Sequence, residues 1–121
     1  MRIALALLFL THGIAHLPGF IVLARVATMK GMPYRTTILG GRIDVGDVGT
    51  RAIGLLWLLA AVAFVAVAIG LYAGAAWWRP GALGVAGFSL VLGILCWPEA
   101  RIGVVINAAI IAFLLAGGLP G

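Results

Sequence analysis

The stretch from Ile53 to Ala73 decides the fold: it reads IGLLWLLAAVAFVAVAIGLYA and contains no charged residue. A helix needs about 20 apolar residues to cross the hydrocarbon core of a bilayer, and this stretch is long enough. In lipid, every backbone N–H and C=O group must find a partner within the protein, which favours a helix. The sequence therefore predicts a transmembrane helix at this position.

The composition of the whole chain points the same way. Of its 121 residues, 64% are hydrophobic and only 9% are charged, whereas about 25% of a soluble domain is charged. The mean hydropathy is +1.25. These values exclude a water-soluble globular domain and a disordered tail. We expect an integral membrane protein with a single transmembrane domain over residues 1–121.

Three further apolar stretches accompany the first one. They run from about residue 3 to 23, from 81 to 97 and from 102 to 119. A polar loop, about residues 24–50, separates the first two stretches in the chain, and the other connections are very short. Short connections force neighbouring helices to run antiparallel. We therefore predict an all-α protein, an integral membrane four-helix bundle made of up-down antiparallel hairpins.

The charge is strongly basic, with eight Lys and Arg residues against three Asp and Glu and a formal net charge of +5. In a membrane protein such an excess sets the orientation, because loops rich in Lys and Arg stay in the cytoplasm. We therefore expect no nucleic-acid partner. The basic residues on the side of the long loop are Arg25, Lys30, Arg35, Arg42, Arg51 and Arg101. Arg2 and Arg79 fall on the other side, so the count predicts a cytoplasmic long loop with both termini outside.

Two histidines lie in the middle of the first apolar stretch. His12 and His16 are four residues apart and therefore share one face of a helix. Pro18 has no N–H to offer the carbonyl of Ile14, so that oxygen is freed near both rings. One interpretation is a pair of neutral histidines that hydrogen-bond across the bundle. The other is a ligand or metal site, because imidazoles at this spacing can hold one metal ion.

A second polar group surrounds the start of the fourth stretch. Glu99, Arg101 and Asn107 suit either a capped helix with one hydrogen-bonding amide, or a polar site completed with the histidines. Asp44 and Asp47 precede the second apolar stretch on the same side of the bilayer, where they suit an N-cap and a first turn. The candidate polar cluster comprises His12, His16, Asp44, Asp47, Glu99, Arg101 and Asn107.

These motifs resemble a family of short four-helix bacterial membrane proteins of unknown function. The pattern is carried by residues 11–20 (Thr-His-Gly-x-x-His-x-x-Gly-Phe), 54–60 (Gly-x-x-Trp-Leu-Leu-Ala), 77–78 (Trp-Trp), 97–101 (Trp-Pro-Glu-Ala-Arg), 103 (Gly) and 107 (Asn). It covers most of the chain except the long loop. Glu99 stands where the family has Asp, and Pro98 departs from the pattern. The chain also resembles the DoxX-like group, more weakly. The resemblance implies a bacterial cytoplasmic membrane and supplies no activity.

Two functions are compatible with these residues. The first is a non-enzymatic membrane component that binds a ligand or partner, as one part of a larger membrane or transport assembly. The second is a membrane-embedded enzyme or an ion or metal carrier that uses His12, His16 and Glu99, with the two histidines as candidate metal ligands. The expected partners are the lipid bilayer and either a second copy of the chain or another membrane protein. The sequence identifies no cofactor.

The orientation of the buried polar side chains can be predicted from their energetics. In hydrocarbon, nothing satisfies the polar atoms of a histidine or an asparagine, which costs several kcal/mol for each side chain. We therefore expect His12, His16 and Asn107 to face the interior of the bundle rather than the lipid.

Overall fold

A computed structural model of the chain describes residues 1–118 and is 69% helical. The helices are α1 (Arg2–Ile14), α2 (Leu17–Leu23), α3 (Gly46–Ala73), α4 (Trp78–Leu95) and α5 (Arg101–Leu115). Two short strands, β1 (Thr37–Ile38) and β2 (Ile43–Asp44), lie in the long loop. The predicted all-α fold is confirmed.

Three apolar helices are long enough to cross a bilayer, which indicates a membrane protein. They are Arg2–Leu23, which joins α1 and α2 in one span, together with α3 and α4. Helix α5 has only 15 residues, and its length of about 22 Å falls short of a hydrocarbon core of about 30 Å.

The predicted fourth span, residues 102–119, is longer than the helix that forms. Gly117 has a φ of 80°, a left-handed conformation that ends a helix. The Gly118 amide then bonds back to the Phe113 carbonyl at 2.9 Å. These two features close the helix after Leu115. The end of the predicted span, Leu119, lies outside the described residues.

Helix α3 begins seven residues before the predicted start at Ile53. Asp44 Oδ1 accepts a hydrogen bond from the Gly46 amide at 2.9 Å, and Thr50 Oγ1 donates to the Gly46 carbonyl at 2.7 Å. These bonds support a polar first turn that apolar length alone could not predict. The polar loop is correspondingly shorter and ends before Gly46. Asp44 and Asp47 were expected at an N-cap and in a first turn. Asp47 does lie in the first turn of α3, whereas the N-cap is Val45, which makes no side-chain cap hydrogen bond. Asp44 bonds to the Gly46 amide from the residue before the N-cap.

Helix α3 organises the bundle. Helices α1 and α2 pack against α3, α4 packs against α3, and α5 packs against α4. The half of the bundle nearest the termini is filled by an apolar core that includes Phe9, Phe64, Leu71 and Trp78, all completely buried. A Cβ atom at Gly13 would stand 2.8 Å from the Phe64 Cβ, so this glycine lets α1 approach α3 closely.

The long loop folds back over the other half of the bundle. Strands β1 and β2 pair antiparallel, with Thr37 opposite Asp44 and Ile38 opposite Ile43. At the tip, the Leu39 amide donates to the Leu95 carbonyl at 2.8 Å, and the Gly40 amide donates to the Trp97 carbonyl at 2.9 Å. We call residues 31–41 the lid. Its docking onto the connection between α4 and α5 was not predicted from the sequence.

Candidate functional site

Four buried polar side chains meet in the middle of the bundle, and we call them the polar quartet. They are His12 on α1, His16 at the junction of α1 and α2, Ser89 on α4, and Asn107 on α5. Their exposed fractions are 6%, 3%, 1% and 1%, respectively. The prediction that both histidines and Asn107 face the interior is therefore confirmed.

The polar quartet is joined by hydrogen bonds whose direction is set at His16. Its Nδ1 lies 2.6 Å from the backbone oxygen of His12, which can only accept, so Nδ1 carries the proton. In the neutral ring, Nε2 then accepts the hydroxyl proton of Ser89, whose Oγ lies 2.6 Å away. Asn107 Nδ2 donates to the same Oγ at 2.8 Å, and His12 Nε2 donates to Asn107 Oδ1 at 2.9 Å. The four bonds form a ring that begins and ends at His12.

The break between α1 and α2 makes one of these bonds possible. In a continuous α-helix the His16 amide would bond to the His12 carbonyl. Here that amide bonds instead to the Gly13 carbonyl at 3.0 Å, and the His16 side chain takes the His12 oxygen. Pro18, in the first turn of α2, has no amide proton with which to continue the α1 ladder. The sequence predicted that the carbonyl of Ile14 is free to bond to an imidazole. The carbonyl that accepts a hydrogen bond from an imidazole is instead that of His12.

Aromatic contacts hold both imidazoles in place. The rings of His12 and His16 meet edge to face with their centroids 4.9 Å apart, and the ring of Phe64 lies 4.9 Å from that of His12. The Trp57 ring lies 5.1 Å from His16. Such tilted and edge-to-face pairs are favourable, and they leave the two imidazoles little freedom to turn.

The Trp57 indole supplies one further polar atom beside the site. Among residues 1–118, its Nε1 is the one buried side-chain nitrogen or oxygen that lacks a hydrogen-bond partner. The Cys96 thiol interacts with the indole, but sulfur is a weak acceptor and the contact does not have hydrogen-bond geometry. A Cβ atom at Gly19 would stand 3.0 Å from the Trp57 ring, so the glycine makes room for the indole against α2.

The polar quartet forms the inner end of a pocket of about 960 Å³. The pocket lies between the helices on the side of the long loop, and the lid covers part of it. Its apolar lining from the helices comprises Val22, Leu23, Ile53, Trp57, Ile102 and Ile106. Met32, Pro33 and Ile38 line it from the lid. The result is a mostly apolar pocket with the polar quartet at its inner end and the charged side chains of Arg35 and Glu99 at its rim.

Glu99 lines this pocket at its outer rim and is separate from the polar quartet. Its Oε1 accepts a hydrogen bond from Arg35 Nη1 at 2.9 Å, and the two side chains are 57% and 60% exposed, respectively. The sequence led us to expect that Glu99 completes a site with the histidines. None of the described hydrogen bonds joins Glu99 to His12 or His16. An exposed pair of this kind contributes about 0–1 kcal/mol, and here it joins the lid to the α4–α5 connection.

The remaining predicted residues do not line the pocket. Asp47 accepts a hydrogen bond from the Tyr34 hydroxyl at 2.7 Å, which raises the pKa of Tyr34 because the carboxylate stabilises the protonated phenol. The Gly46 amide and the Thr36 hydroxyl lower the pKa of Asp44 by bonding to its ionised form. Arg101 is exposed in the first turn of α5. None of the three acidic or basic residues predicted here, Asp44, Asp47 and Arg101, is among the described residues that line the pocket.

Sequence reasoning missed Ser89, Trp57 and Arg35 as members of the site. A signal for Ser89 was present, because it is the only serine in the chain and lies in the middle of an otherwise apolar helix. The same reasoning that identified Asn107 would have identified it. Trp57 resembles an interfacial tryptophan in sequence, and nothing in the sequence pairs Arg35 with Glu99 across 64 positions.

The predicted metal ligands are already engaged in the hydrogen-bonded ring. Within residues 1–118, no group of three or more His, Cys, Asp or Glu side chains is placed to hold a metal ion. Both nitrogens of His16 and one nitrogen of His12 bond to protein atoms. A metal ion at the two histidines would therefore have to displace bonds that the ring makes.

Comparisons with protein-family models, with curated proteins and with solved structures found no match. The resemblance to four-helix bacterial membrane proteins therefore stays a prediction.

Proposed function

We propose that the protein is a non-enzymatic membrane component that binds a small, largely apolar molecule within the bundle. The observation that carries the proposal is the pocket of about 960 Å³ with the polar quartet at its inner end. Pockets for small organic ligands span about 300–1,000 Å³, are mostly apolar, and hold a few convergent polar groups. The pocket has each of these features.

The hydrogen-bonded ring supports binding over proton or metal transport. A proton passing between His12 and His16 along the ring would have to cross either the Asn107 amide or the His12 backbone carbonyl, and neither group gains or loses a proton near neutral pH. Beyond the ring, the buried side chains of Phe9, Phe64 and Trp78 fill the bundle towards the termini. The described polar groups therefore outline a pocket that opens towards one side of the membrane, without a polar path to the other.

The proposed setting is a bacterial cytoplasmic membrane, with the lid in the cytoplasm and both termini outside. The support comes from the six basic residues on the side of the lid, against two on the opposite side. Those two are used at helix ends: Arg2 donates to the Leu71 carbonyl at 3.2 Å, and Arg79 donates to the Leu114 carbonyl at 3.2 Å.

Native mass spectrometry of the protein extracted in mild detergent tests the proposal. We expect a bound small molecule on the unmodified protein. Ile106→Trp places a large ring in the pocket and should remove the bound mass. Val105→Trp is the matched control, because Val105 is the preceding residue and is 66% exposed on the outside of α5. A protein without any bound molecule, or equal retention by both variants, would contradict the proposal.

A further inference from the structure

The surroundings of the pocket narrow the class of ligand that it can bind, an inference that rests on the proposed function. We infer that the pocket takes an uncharged, lipid-soluble molecule with one hydroxyl or carbonyl group, which comes from the bilayer between α2 and α5 with that group leading. The inference is carried by three features: the neutrality of the polar quartet, its remaining hydrogen-bonding capacity, and the gap between these two helices.

The inner end of the pocket offers no net charge to an ionised ligand. The polar quartet contains two imidazoles, a hydroxyl and an amide. The described hydrogen bonds pair neither imidazole with a carboxylate, so burial favours the neutral form of both rings. At the rim, Arg35 and Glu99 neutralise each other at 2.9 Å. An ionised group at the quartet would be desolvated without a counter-ion, which is costly inside a membrane. The charged headgroup of a phospholipid is therefore excluded from this position.

The polar quartet still has hydrogen-bonding capacity after the ring is closed. Asn107 keeps a second amide proton, and His12, with its proton on Nε2, keeps Nδ1 as an acceptor. Both residues line the pocket. A ligand carbonyl can accept from the amide, and a ligand hydroxyl can donate to the imidazole. The apolar body of the molecule then lies along Val22, Ile53 and Ile106, which line the pocket between the quartet and the rim.

The packing of the helices points to a lateral gap between the pocket and the lipid. Helix α2 packs on α3 and α5 packs on α4, whereas α2 and α5, which both line the pocket, are not a substantially packed pair within residues 1–118. Ile102 lines the pocket although it is 71% exposed. Apart from its chain neighbours and the backbone of its own helix, no described atom lies within 4 Å of the position that a Cβ atom on Gly103 would take.

The lid hinders a ligand from entering the pocket from the aqueous side. Two backbone hydrogen bonds, from Leu39 and Gly40, and the ion pair of Arg35 with Glu99 join the lid to the end of α4 and the connection that follows it. Opening the lid on this edge breaks all three contacts. Passage between α2 and α5 breaks none of them, so a lipid-soluble ligand reaches the quartet most directly from the bilayer.

Photolabelling in liposomes tests the chemistry of the ligand. The probe is dodecanol with a diazirine beside its hydroxyl-bearing carbon, and the labelled peptides are identified by mass spectrometry. We expect labels on the segments that hold His16, Ser89 and Asn107. An excess of dodecanol should suppress labelling, whereas dodecane and dodecyl phosphate, added below concentrations that disturb the vesicles, should not. Equal suppression by dodecane, or stronger suppression by dodecyl phosphate, would overturn the inference about the polar group.

The route is tested by the rate of labelling. Gly103→Trp should obstruct the gap and slow labelling severalfold. Gly84→Trp is the matched control, because Gly84 on α4 is exposed, does not line the pocket and likewise has no described atom outside its own helix backbone and chain neighbours within 4 Å of its Cβ position. A disulfide between Leu39→Cys and Leu95→Cys, in a Cys96→Ala background, should lock the lid, because the backbones of these two residues are joined by a hydrogen bond of 2.8 Å and neither residue lines the pocket. The rate of labelling should be the same in the oxidised and the reduced form of this variant. Labelling that stops in the locked protein but continues in Gly103→Trp would overturn the lateral route.

The two proposals fail in different ways. If native mass spectrometry shows a bound molecule that Ile106→Trp removes, but dodecanol never labels the quartet segments, only the inferred ligand class is wrong. If neither a bound molecule nor labelling is found, the proposed function is wrong as well.

Discussion

The two halves of the bundle are built on different principles, although the same helices run through both. Near the termini, Phe9, Phe64 and Trp78 are completely buried and fill the space between the helices. On the side of the lid, His16, Ser89 and Asn107 join the helices by directed hydrogen bonds and leave a pocket of about 960 Å³.

This difference assigns most of the stability to the packed half near the termini and the proposed ligand binding to the half on the side of the lid. Inside a bilayer the hydrophobic effect gives little reason for helices to associate, because lipid is as apolar as the helix surface. Close packing therefore has to hold the helices together, and among residues 1–118 the largest completely buried side chains lie in the half away from the described pocket. The lid-side half can keep a cavity because hydrogen bonds fix its geometry at a few points.

The largest loss of stability is expected when a side chain is removed from the packed half. Phe9→Ala should lower the free energy of unfolding by about 3 kcal/mol, because it removes a ring that is completely buried and leaves a cavity. Leu7→Ala is the control, since Leu7 is 55% exposed, and its loss should be much smaller. Reversible unfolding in mixed micelles measures both values. Similar losses in the two variants would show that packing is not concentrated in this half.

The next largest effect is expected from Asn107→Leu. The substitution removes the bonds to His12 and Ser89, and it should cost about 2 kcal/mol, since interhelical bonds in membranes are worth about 0.6–1.7 kcal/mol each. Ser89→Ala should also destabilise the protein, because it too interrupts the ring. Double-mutant analysis should show that the two losses are not additive. Strict additivity would argue against a connected ring.

A smaller effect is expected at the rim. Glu99→Gln removes the charge that faces Arg35, and the free energy of unfolding should change by at most about 1 kcal/mol because both side chains are exposed. Hydrogen exchange of the Leu39 and Gly40 amides should nevertheless become faster, since the lid loses one of its attachments. Asp44→Asn is the control, because Asp44 lies in β2, outside the lid, and exchange of the Leu39 and Gly40 amides should not change in this variant. Unchanged exchange in Glu99→Gln would mean that the ion pair does not restrain the lid.

The smallest effect concerns the start of α3. The pKa of Asp44 is lowered from 3.8 by the bond from Gly46, so its contribution to stability is present above the ordinary pKa. That contribution is lost as the pH falls below 3.8 and through the lowered value. A titration followed by NMR should give a midpoint for Asp44 below its ordinary pKa. Asp44→Asn should remove the corresponding pH dependence of the first turn of α3, and a midpoint at or above the ordinary value would contradict the bond from Gly46.

The features predicted correctly from the sequence are those with a local physical cause. The apolar stretch at Ile53–Ala73 lies within α3, and three members of the polar quartet were identified because polar atoms in lipid are costly. The early start of α3 was missed, because its first turn is stabilised by Asp44 and Thr50 rather than by apolar length. The pairing of Arg35 with Glu99 depends on tertiary contacts between distant segments, for which the sequence has no local signal.

The closed circuit of bonds through His12, Asn107, Ser89 and His16 has an electrical consequence. The bond dipoles follow one another around a loop, so their vector sum is small compared with that of the same four bonds placed in a line. A potential across the membrane acts on displaced charge and on net dipoles. Its effect on the orientation of the polar quartet should therefore be small. The inner end of the pocket should keep the same shape in an energised membrane and in a depolarised one.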